Sequence, residues 1–307
     1  MKQWLYTLIG FLTLSFSLSA QETAEMMAPP LTIQADSSKS LLWEINGKGL
    51  KNPSYLFGTI HMIGKEDFIL TEITRNSFAK ADRVTFEINM EDMMDISVLM
   101  PIMMKAMMNN NTTLKDLLSA EDYKLVQEHF DKMGLPLMFM ERIKPMFLSA
   151  LTGSELPANG MSTGEVVSYE MELMTLAQSQ EKEIGGLETA EFQMGLFDSI
   201  PYNVQAEMLV NGIKSGQSGD DQFKVMVDLY KNQDIEGMQD LIGQDSEGIS
   251  KYENLLLLNR NRNWIPVMRN MMKEKVTFFA VGAGHLGGPE GVIALLRKEG
   301  YTLTPLK

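Results

Sequence analysis

The sequence predicts an α/β protein made of two similar strand–loop–helix–strand units, with a large and mainly helical insertion between them. An apolar run that ends in Gly-x-x-His occurs near each end of the chain, at residues 58–61 and at residues 282–285. Each copy continues into a helical pattern and a further strand within about 30 residues, which is the length of a βαβ unit. Between the two copies, apolar residues recur at helical spacing. These three observations define the predicted fold class.

The first unit starts with a predicted β-hairpin. Two apolar, strand-like runs occupy residues 41–45 (LLWEI) and 54–58 (SYLFG), and the turn between them contains Asn-Gly and Asn-Pro pairs. The first Gly-x-x-His follows directly, and its glycine lets the backbone turn sharply where the strand ends. The rest of the unit is a helix over residues 71–81 and a strand over residues 83–88.

The second unit repeats this order at the C-terminal end. A buried strand over residues 276–282 leads to the second Gly-x-x-His, and a helix bounded by proline and glycine precedes a strand over residues 301–306. In open α/β sheets, ligands bind at the edge formed by the carboxyl ends of the strands. A pseudo-twofold pair of such units therefore places His61 and His285 at one site.

Residues 91–263 form the predicted insertion, which we expect to cover the site. Its candidate helices lie near residues 92–108, 119–133, 138–151, 164–180, 190–198, 201–215, 219–231 and 248–273. One short run, residues 183–188, is typical of a strand that ends at Glu188. The predicted core of the domain spanning residues 41–307 thus comprises residues 41–90 and 264–307.

The first 20 residues are predicted to be a cleaved signal peptide, because Lys2 precedes an apolar run and small residues follow it. Residues 21–40 are polar and are interpreted as a flexible leader. The alternative is an uncleaved membrane anchor, but the apolar run is short for a span of about 20 residues. We therefore expect a periplasmic or secreted protein with no transmembrane span after cleavage.

Composition argues against several classes of function. The formal net charge is −13, so the chain repels phosphate backbones and a nucleic-acid partner is not expected. A chain without cysteine has neither disulfides nor a cysteine nucleophile. The sequence also contains neither the HExxH helix of zincins nor the Gly-x-Ser-x-Gly turn of serine hydrolases.

Two histidines at equivalent positions, in a chain that has only three, indicate a metal site. His61 and His285 offer neutral nitrogen ligands for a divalent transition metal such as Mn, Co or Zn. Glu87 and Glu188, near the ends of predicted strands, add a carboxylate ligand or a base. The alternative is that each Gly-x-x-His is a turn whose imidazole caps a helix or forms a hydrogen bond with a buried carbonyl. Two carboxylates close to the first histidine in sequence are second candidates: Glu66 and Asp67.

Other residues give weaker signals. Arg260 and Asn261 precede the C-terminal unit. Their functional interpretation is that they orient carboxylates or polarise a carbonyl, and the alternative is that they form a solvated face. His129 lies in a polar helical pattern and is predicted to be a solvated surface residue. The 26 methionines are densest at residues 90–108. That run is interpreted as a pliable apolar wall for a peptide or a partner, with copper(I) binding by thioethers as the alternative.

The chain resembles the TraB/GumN family, which includes the animal Tiki proteins. The matching stretches are LWEI, SYLFGTIH, ADRVTFEI, IKP, GLETAEFQ, NRNRNW and FFAVGAGHLGGPEGVIALLRKEGYTL. The resemblance implies an EreA/ChaN-like α/β core and, for Tiki-like members, metal-dependent peptide cleavage. One departure is that residues 168–170 read Ser-Tyr-Glu where many members have Gly-x-Asp.

Carried over by position, the resemblance assigns the metal to His61 and His285, with Glu87 as ligand or base. It gives supporting roles to three further residues: Glu188, Arg260 and Asn261. The first hypothesis is therefore a secreted or periplasmic metal-dependent hydrolase, a peptidase acting on peptides or proteins. The alternatives are a non-enzymatic envelope binding protein whose methionine-rich helices hold a partner, and a metal-dependent esterase-type hydrolase.

Overall fold

A six-stranded mixed sheet lies at the centre of this computed structural model, which describes residues 39–92, 95–152, 165–215, 217–243 and 249–307. The predicted signal peptide and nearly all of the predicted leader lie outside the described residues, so both stay predictions. The sheet contains the strands β1, β2, β4, β6, β7 and β8, which span Leu42–Gly47, Ser54–Thr59, Arg83–Ile88, Glu183–Glu188, Thr277–Gly282 and Tyr301–Leu306. The short strands β3 (Ile63–Gly64) and β5 (Val166–Val167) form a separate antiparallel pair.

The strand order explains how the two ends of the chain meet. Across the sheet the order is β6-β4-β7-β2-β1-β8, and β6, β4, β7 and β2 are parallel. Strand β1 pairs antiparallel with β2, which confirms the predicted hairpin. Strand β7, from the C-terminal unit, lies between β2 and β4 of the N-terminal unit, so the two units share one sheet. The structure is therefore a mixed α/β fold; the EreA/ChaN-like pseudo-symmetric core stays a prediction.

Helices surround this sheet and make up most of the chain between β4 and β7. The described residues contain twelve α-helices, α1 to α12 in chain order: Glu72–Lys80, Ile96–Lys105, Leu114–Leu117, Ala120–Lys132, Pro145–Thr152, Tyr169–Ser179, Ala190–Leu196, Tyr202–Ser215, Gln217–Lys231, Ile235–Gly243, Asn259–Glu274 and Val292–Lys298. A π-helical turn, Asn254–Leu258, leads into α11. None of the helices in the described part of the chain is long and apolar enough to cross a membrane.

Some helix boundaries differ from the predictions for physical reasons. The helix predicted near residues 164–180 begins only at Tyr169, because the β-branched pair before it forms β5. Helix α10 was not predicted. Its apolar pattern is interrupted by Gly237. A Cβ atom added there would lie only 2.8 Å from Cδ2 of Leu229, so the glycine leaves room for that side chain. The strand predicted over residues 183–188 is confirmed as β6.

Two apolar cores hold the described residues together. The larger one packs helices on the sheet through fully buried side chains such as Leu56, Val84 and Phe278. The smaller one joins helices of the insertion around Val126 and Phe130. Burial of apolar area is the main stabilising contribution in both, at roughly 25 cal/mol per Å².

The prediction for His129 is wrong. This side chain is half-buried on α4, and its Nε2 atom is buried with no hydrogen-bond partner among the described residues. It lies three residues after buried Val126, so both side chains point to the same face of the helix. Its ring meets that of Phe130 edge-on, with centroids 5.6 Å apart. Burial, with a smaller contribution from Lys132, lowers the pKa of His129.

Candidate functional site

The two Gly-x-x-His motifs contact each other at the carboxyl edge of the sheet. Thr59 in β2 is opposite Gly282 in β7, so both motifs leave the sheet at the same level. A Cβ atom on Gly58 would lie 3.0 Å from the Cβ of Ala283 and 3.0 Å from Cδ2 of Leu286. The first motif therefore packs directly on the second.

Glycine is needed in both motifs for close approach rather than for a special backbone angle. Neither Gly58 nor Gly282 has a positive φ, so the sharp turn expected from the sequence is not the reason for glycine. At Gly282, an added Cβ would lie 3.2 Å from Oε1 of Glu87 and 3.6 Å from the ring of His285. The missing side chain lets a carboxylate and an imidazole approach the end of the strand.

His285 is buried, with 4% of its surface exposed, and is held in one orientation. Its Nδ1 lies 2.6 Å from Oδ1 of Asn261, and its ring packs on Trp264 with centroids 4.4 Å apart. Since an amide oxygen only accepts, Nδ1 carries the proton and Nε2 carries the lone pair, which accepts a contact from Nη1 of Arg260 at 3.3 Å. Burial lowers the pKa of His285 to about 3, so the ring is neutral at physiological pH.

Glu87, near the end of β4, accepts hydrogen bonds on both carboxylate oxygens. The backbone N–H of Gly282 donates to Oε1 at 2.9 Å, and Arg260 and Gln193 donate to Oε2 at 2.5 and 3.1 Å. Burial alone raises the pKa of this carboxyl. The neighbouring imidazoles, the charge of Arg260 and the Gly282 hydrogen bond outweigh burial and lower the pKa to about 2. Because His285 is neutral at pH 7, Arg260 is the main counter-charge.

Arg260, on α11, lies between two buried carboxylates. Its Nη2 is 2.5 Å from Oε2 of Glu87 and 2.7 Å from Oε1 of Glu188, and its Nη1 donates to the carbonyl of Leu256. Glu188 also accepts a hydrogen bond at 2.9 Å from the indole of Trp264. The structure thus places Glu188 behind Arg260, where it anchors the guanidinium and the indole.

His61 is the exposed member of the pair, with 73% of its side chain accessible. Its Nδ1 lies 3.1 Å from Oε1 of Glu170, and the same oxygen accepts a hydrogen bond from Thr59 at 2.7 Å. The β3–β5 pair brings the loop after His61 against the segment before α6, and Ser168 caps that helix. Glu170 therefore lies in the first turn of α6, where the helix dipole favours a carboxylate.

The contact between His61 and Glu170 shifts the pKa values of both groups. The hydrogen bond with Glu170 raises the pKa of His61, a rise that solvent limits because the ring is largely exposed. Burial opposes ionisation of Glu170, yet the hydrogen bonds from His61 and Thr59 lower its pKa. The two groups therefore form an ion pair whenever His61 is protonated.

A cavity of about 340 Å³ opens at this edge and is lined by two of the predicted site residues, His61 and Glu87. The polar part of its lining is His61, Glu87, Ser168, Glu170 and Gln193. His285 lies behind this wall, with its Nε2 3.7 Å from Oε1 of Glu87. The structure thus brings His61, Glu87, His285, Arg260 and Asn261 to one region, with Glu188 one layer deeper.

The second candidates from the sequence lie elsewhere. Asp67 forms an ion pair with Lys231 and faces a different cavity, which Tyr169 also lines. The side chain of Glu66 folds back over Gly64. Two polar residues that line the cavity, Gln193 and Glu170, are not among the site residues predicted from the sequence. Gln193 is the last residue of the GLETAEFQ stretch, and Glu170 is the acid that departs from the Gly-x-Asp pattern, which is the signal that pointed to it.

Comparison with known proteins decides the family. The family model of the TraB/PrgY/gumN family matches residues 41–305. The chain belongs to the TraB/PrgY/gumN family. That match covers both Gly-x-x-His motifs and all six strands of the sheet except the last residue of β8.

Curated relatives in this family carry the name metalloprotease. The chain is 24% identical to "Metalloprotease TIKI2" of Danio rerio, over 97% of this chain and 67% of that protein. It is 25% identical to "Metalloprotease TIKI1" of Homo sapiens, over 87% of this chain and 62% of that protein. The chain thus spans about two thirds of the length of these relatives. No solved structure matches it.

The names of these relatives imply a metal cofactor, and the donor atoms can be tested against that. Metal–nitrogen and metal–oxygen bonds are each about 2.1 Å, so Nε2 of His285 and Oε1 of Glu87, 3.7 Å apart, can reach one ion. The guanidinium of Arg260 approaches that Nε2 only to 3.3 Å, a weak contact. Within the described residues, no group of three or more His, Asp or Glu side chains converges on one point. The donors fit a metal in type, and His285 and Glu87 are close enough to share one ion, while His61 is turned towards Glu170.

Proposed function

We propose that this protein is a metal-dependent hydrolase of peptide bonds. The observation that carries the proposal is shared by the two histidines. Each has its Nδ1 against a side-chain oxygen, Asn261 for His285 and Glu170 for His61, which makes Nε2 the candidate ligand atom of each ring. This arrangement is typical of histidines that bind metals, because the outer hydrogen bond fixes the tautomer and raises the basicity of the ligand atom. Nε2 of His285 also accepts a long contact from Nη1 of Arg260, at 3.3 Å, which a bound metal would replace.

In this proposal, His285, His61 and Glu87 hold a divalent transition metal such as Mn, Co or Zn. Such a metal, when bound, supplies Lewis-acid chemistry: it activates water and polarises the scissile carbonyl. Glu87 stays ionised because Arg260 and the Gly282 amide neutralise its charge. Its second oxygen also accepts a hydrogen bond from Gln193.

The remaining residues support this donor set. The N–H groups of Arg260 are directed at Glu87, Glu188 and the Leu256 carbonyl, with a longer contact to Nε2 of His285. Its role is therefore to hold Glu87 ionised and in place. Stabilisation of a developing oxyanion is a secondary role, because it requires that Arg260 first releases one of these contacts. Glu188 positions Arg260 from behind. We place the activity in the periplasm or outside the cell, in keeping with the predicted signal peptide.

Metal content and peptide cleavage test this proposal together. The purified protein should contain about one equivalent of a transition metal per chain, and the double variant His61→Ala, His285→Ala should lose both the metal and the cleavage. The third histidine gives a matched control, since His129→Gln should retain both. Full activity in the double variant, or equal metal content in all three proteins, contradicts the proposal. Including ester substrates in the same panel separates a peptidase from an esterase-type hydrolase.

A second candidate function is a non-enzymatic envelope binding protein. It is favoured by the apolar side chains that α2 leaves exposed, of which Ile96, Met103 and Met104 are each more than half accessible. Exposed apolar clusters of this kind mark interaction surfaces. Stoichiometric partner binding that chelators do not affect, without turnover of any substrate, supports this second function. Loss of partner binding on Met104→Glu supports α2 as the surface involved.

A further inference from the structure

The cavity beside Glu87 has a lining that is apolar as well as polar. Five apolar residues line it: Met62, Phe86, Ile88, Met90 and Ala280. Phe86 and Ala280 belong to β4 and β7 and are almost fully buried, so they form the floor. Met62 directly follows His61, and Met90 lies just beyond the end of β4. The apolar walls therefore adjoin the candidate donors.

Both carboxylates that line this cavity are already engaged in hydrogen bonds. Glu87 accepts from Arg260 and Gln193, while Glu170 accepts from Thr59 and contacts Nδ1 of His61. Among the described lining residues, the others carry no formal charge. A charged substrate side chain entering the cavity would lose its hydration without gaining a free counter-charge, which is costly. An apolar side chain loses no hydrogen bonds and buries area against flexible methionines.

The size of the cavity limits what can enter. At about 340 Å³ it lies at the small end of ligand pockets, which span roughly 300–1,000 Å³. It therefore has room for one or two side chains and not for the surface of a folded domain. An extended segment, such as a chain terminus or an unfolded loop, can place one side chain there.

We infer that this cavity selects substrates that present an extended segment with an uncharged apolar side chain, of the size of leucine, methionine or phenylalanine, next to the scissile bond. This inference rests on the proposed function. It adds a specificity role for Met62 and for Met90, the first residue of the methionine-rich run. Met90 is the better test, because it is half-buried against the core whereas Met62 is exposed.

Binding and cleavage are measured separately, on the full chain. The probes are fluorescein-labelled octapeptides that differ only in one central residue: Leu, Met, Phe, Asp or Lys. Fluorescence anisotropy should show the apolar peptides binding at least about tenfold more tightly than the Asp and Lys peptides, since a single methylene group in a pocket contributes about 10- to 200-fold. Mass spectrometry of the same mixtures then identifies any cleaved bond.

Charge substitution assigns the preference to the cavity. Met90→Glu should weaken binding of the Leu peptide about tenfold and improve binding of the Lys peptide, whereas Met138→Glu, at an exposed methionine outside the cavity, should change neither. Equal binding of all five peptides by the wild type, or equal effects of both variants, overturns the inference. Selective binding without cleavage contradicts the proposed function but supports the apolar selectivity of the cavity. Cleavage without selectivity supports the proposed function and overturns the inference.

Discussion

Asn261 fixes the tautomer of His285 through two contacts rather than one. Its Oδ1 lies 2.6 Å from Nδ1 of the ring, while its Nδ2 donates at 3.0 Å to the backbone carbonyl of Glu290. Only the amide nitrogen can donate to a carbonyl, so the second contact determines which end of the amide faces the imidazole. The loop after the second motif therefore controls the side of the ring that carries the lone pair.

The substitution Asn261→Leu should release this control. It leaves the buried Nδ1–H of His285 without an acceptor, at a cost of about 1–3 kcal/mol in stability. We expect ¹⁵N NMR to show a mixture of tautomers and metal affinity to fall about 10- to 100-fold. Asn261→Asp keeps an acceptor oxygen and should keep the Nδ1–H tautomer. Asn259→Leu, which removes only an exposed contact with Arg262, is the control. A single unchanged tautomer in Asn261→Leu contradicts the assignment.

The close packing of the two motifs predicts that Gly58→Ala destabilises the protein. The added methyl group would meet Ala283 and Leu286 at 3.0 Å, and such overpacking costs about 1–3 kcal/mol. Gly195 in α7 is a matched control, because nothing lies within 4 Å of its position and its substitution by alanine favours the helix. Denaturant unfolding measures both variants. Equal midpoints for the two would show that the motifs do not contact each other in solution.

Long-range features of the site that repeat in the sequence could be predicted. The duplicated Gly-x-x-His, each copy after an apolar run, was sufficient to place β2 and β7 at one edge. The pattern over residues 183–188 was sufficient for β6, because a short apolar run with two glycines does not suit a helix. The parallel pairing of β4 with β6 then brings Glu87 and Glu188 to the same edge.

Features that depend on single tertiary contacts could not be predicted. Glu170 reaches His61 only because β3 pairs with β5, and two-residue strands are too short to show alternation. The half-buried position of His129 depends on how α4 packs on the insertion core, which its polar sequence does not reveal. The role of the motif glycines also required coordinates, since a glycine that permits close approach looks the same in sequence as one that permits a turn.

The buried position of Arg260 predicts a large effect of Arg260→Met. Removing the guanidinium leaves Glu87 and Glu188 buried without their counter-charge, and breaking a buried ion pair in this way costs about 3–5 kcal/mol. Arg262→Met is the matched control two residues away. Arg262 is bound to Glu290 on the surface, where an ion pair contributes at most about 1 kcal/mol. Similar unfolding free energies for the two variants would contradict the buried geometry around Arg260.

The lowered pKa of His129 predicts that the stability of the protein depends measurably on pH. Burial lowers its pKa in the folded state below the ordinary value of about 6.5. Below that value the unfolded chain binds a proton that the folded chain resists, so stability is lost as the pH falls from about 6.5 through the folded pKa. The variant His129→Leu lacks this loss and also removes the unpartnered Nε2. It should therefore be more stable than the wild type, and the gain should be larger at pH 5 than at pH 7.5.

The charged neighbour of His129 provides the control for this effect. Lys132 also lowers the pKa of His129, so Lys132→Gln should raise that pKa and reduce the acid sensitivity, while Lys124→Gln on the exposed side of α4 should not. The difference should stay below about 1 kcal/mol, because partial exposure screens the charge. Chemical denaturation at the two pH values gives the stabilities, and NMR titration of the chain's three histidines gives the pKa values directly. An ordinary pKa for His129 in the folded protein would mean that its ring is solvated, as its sequence context indicates.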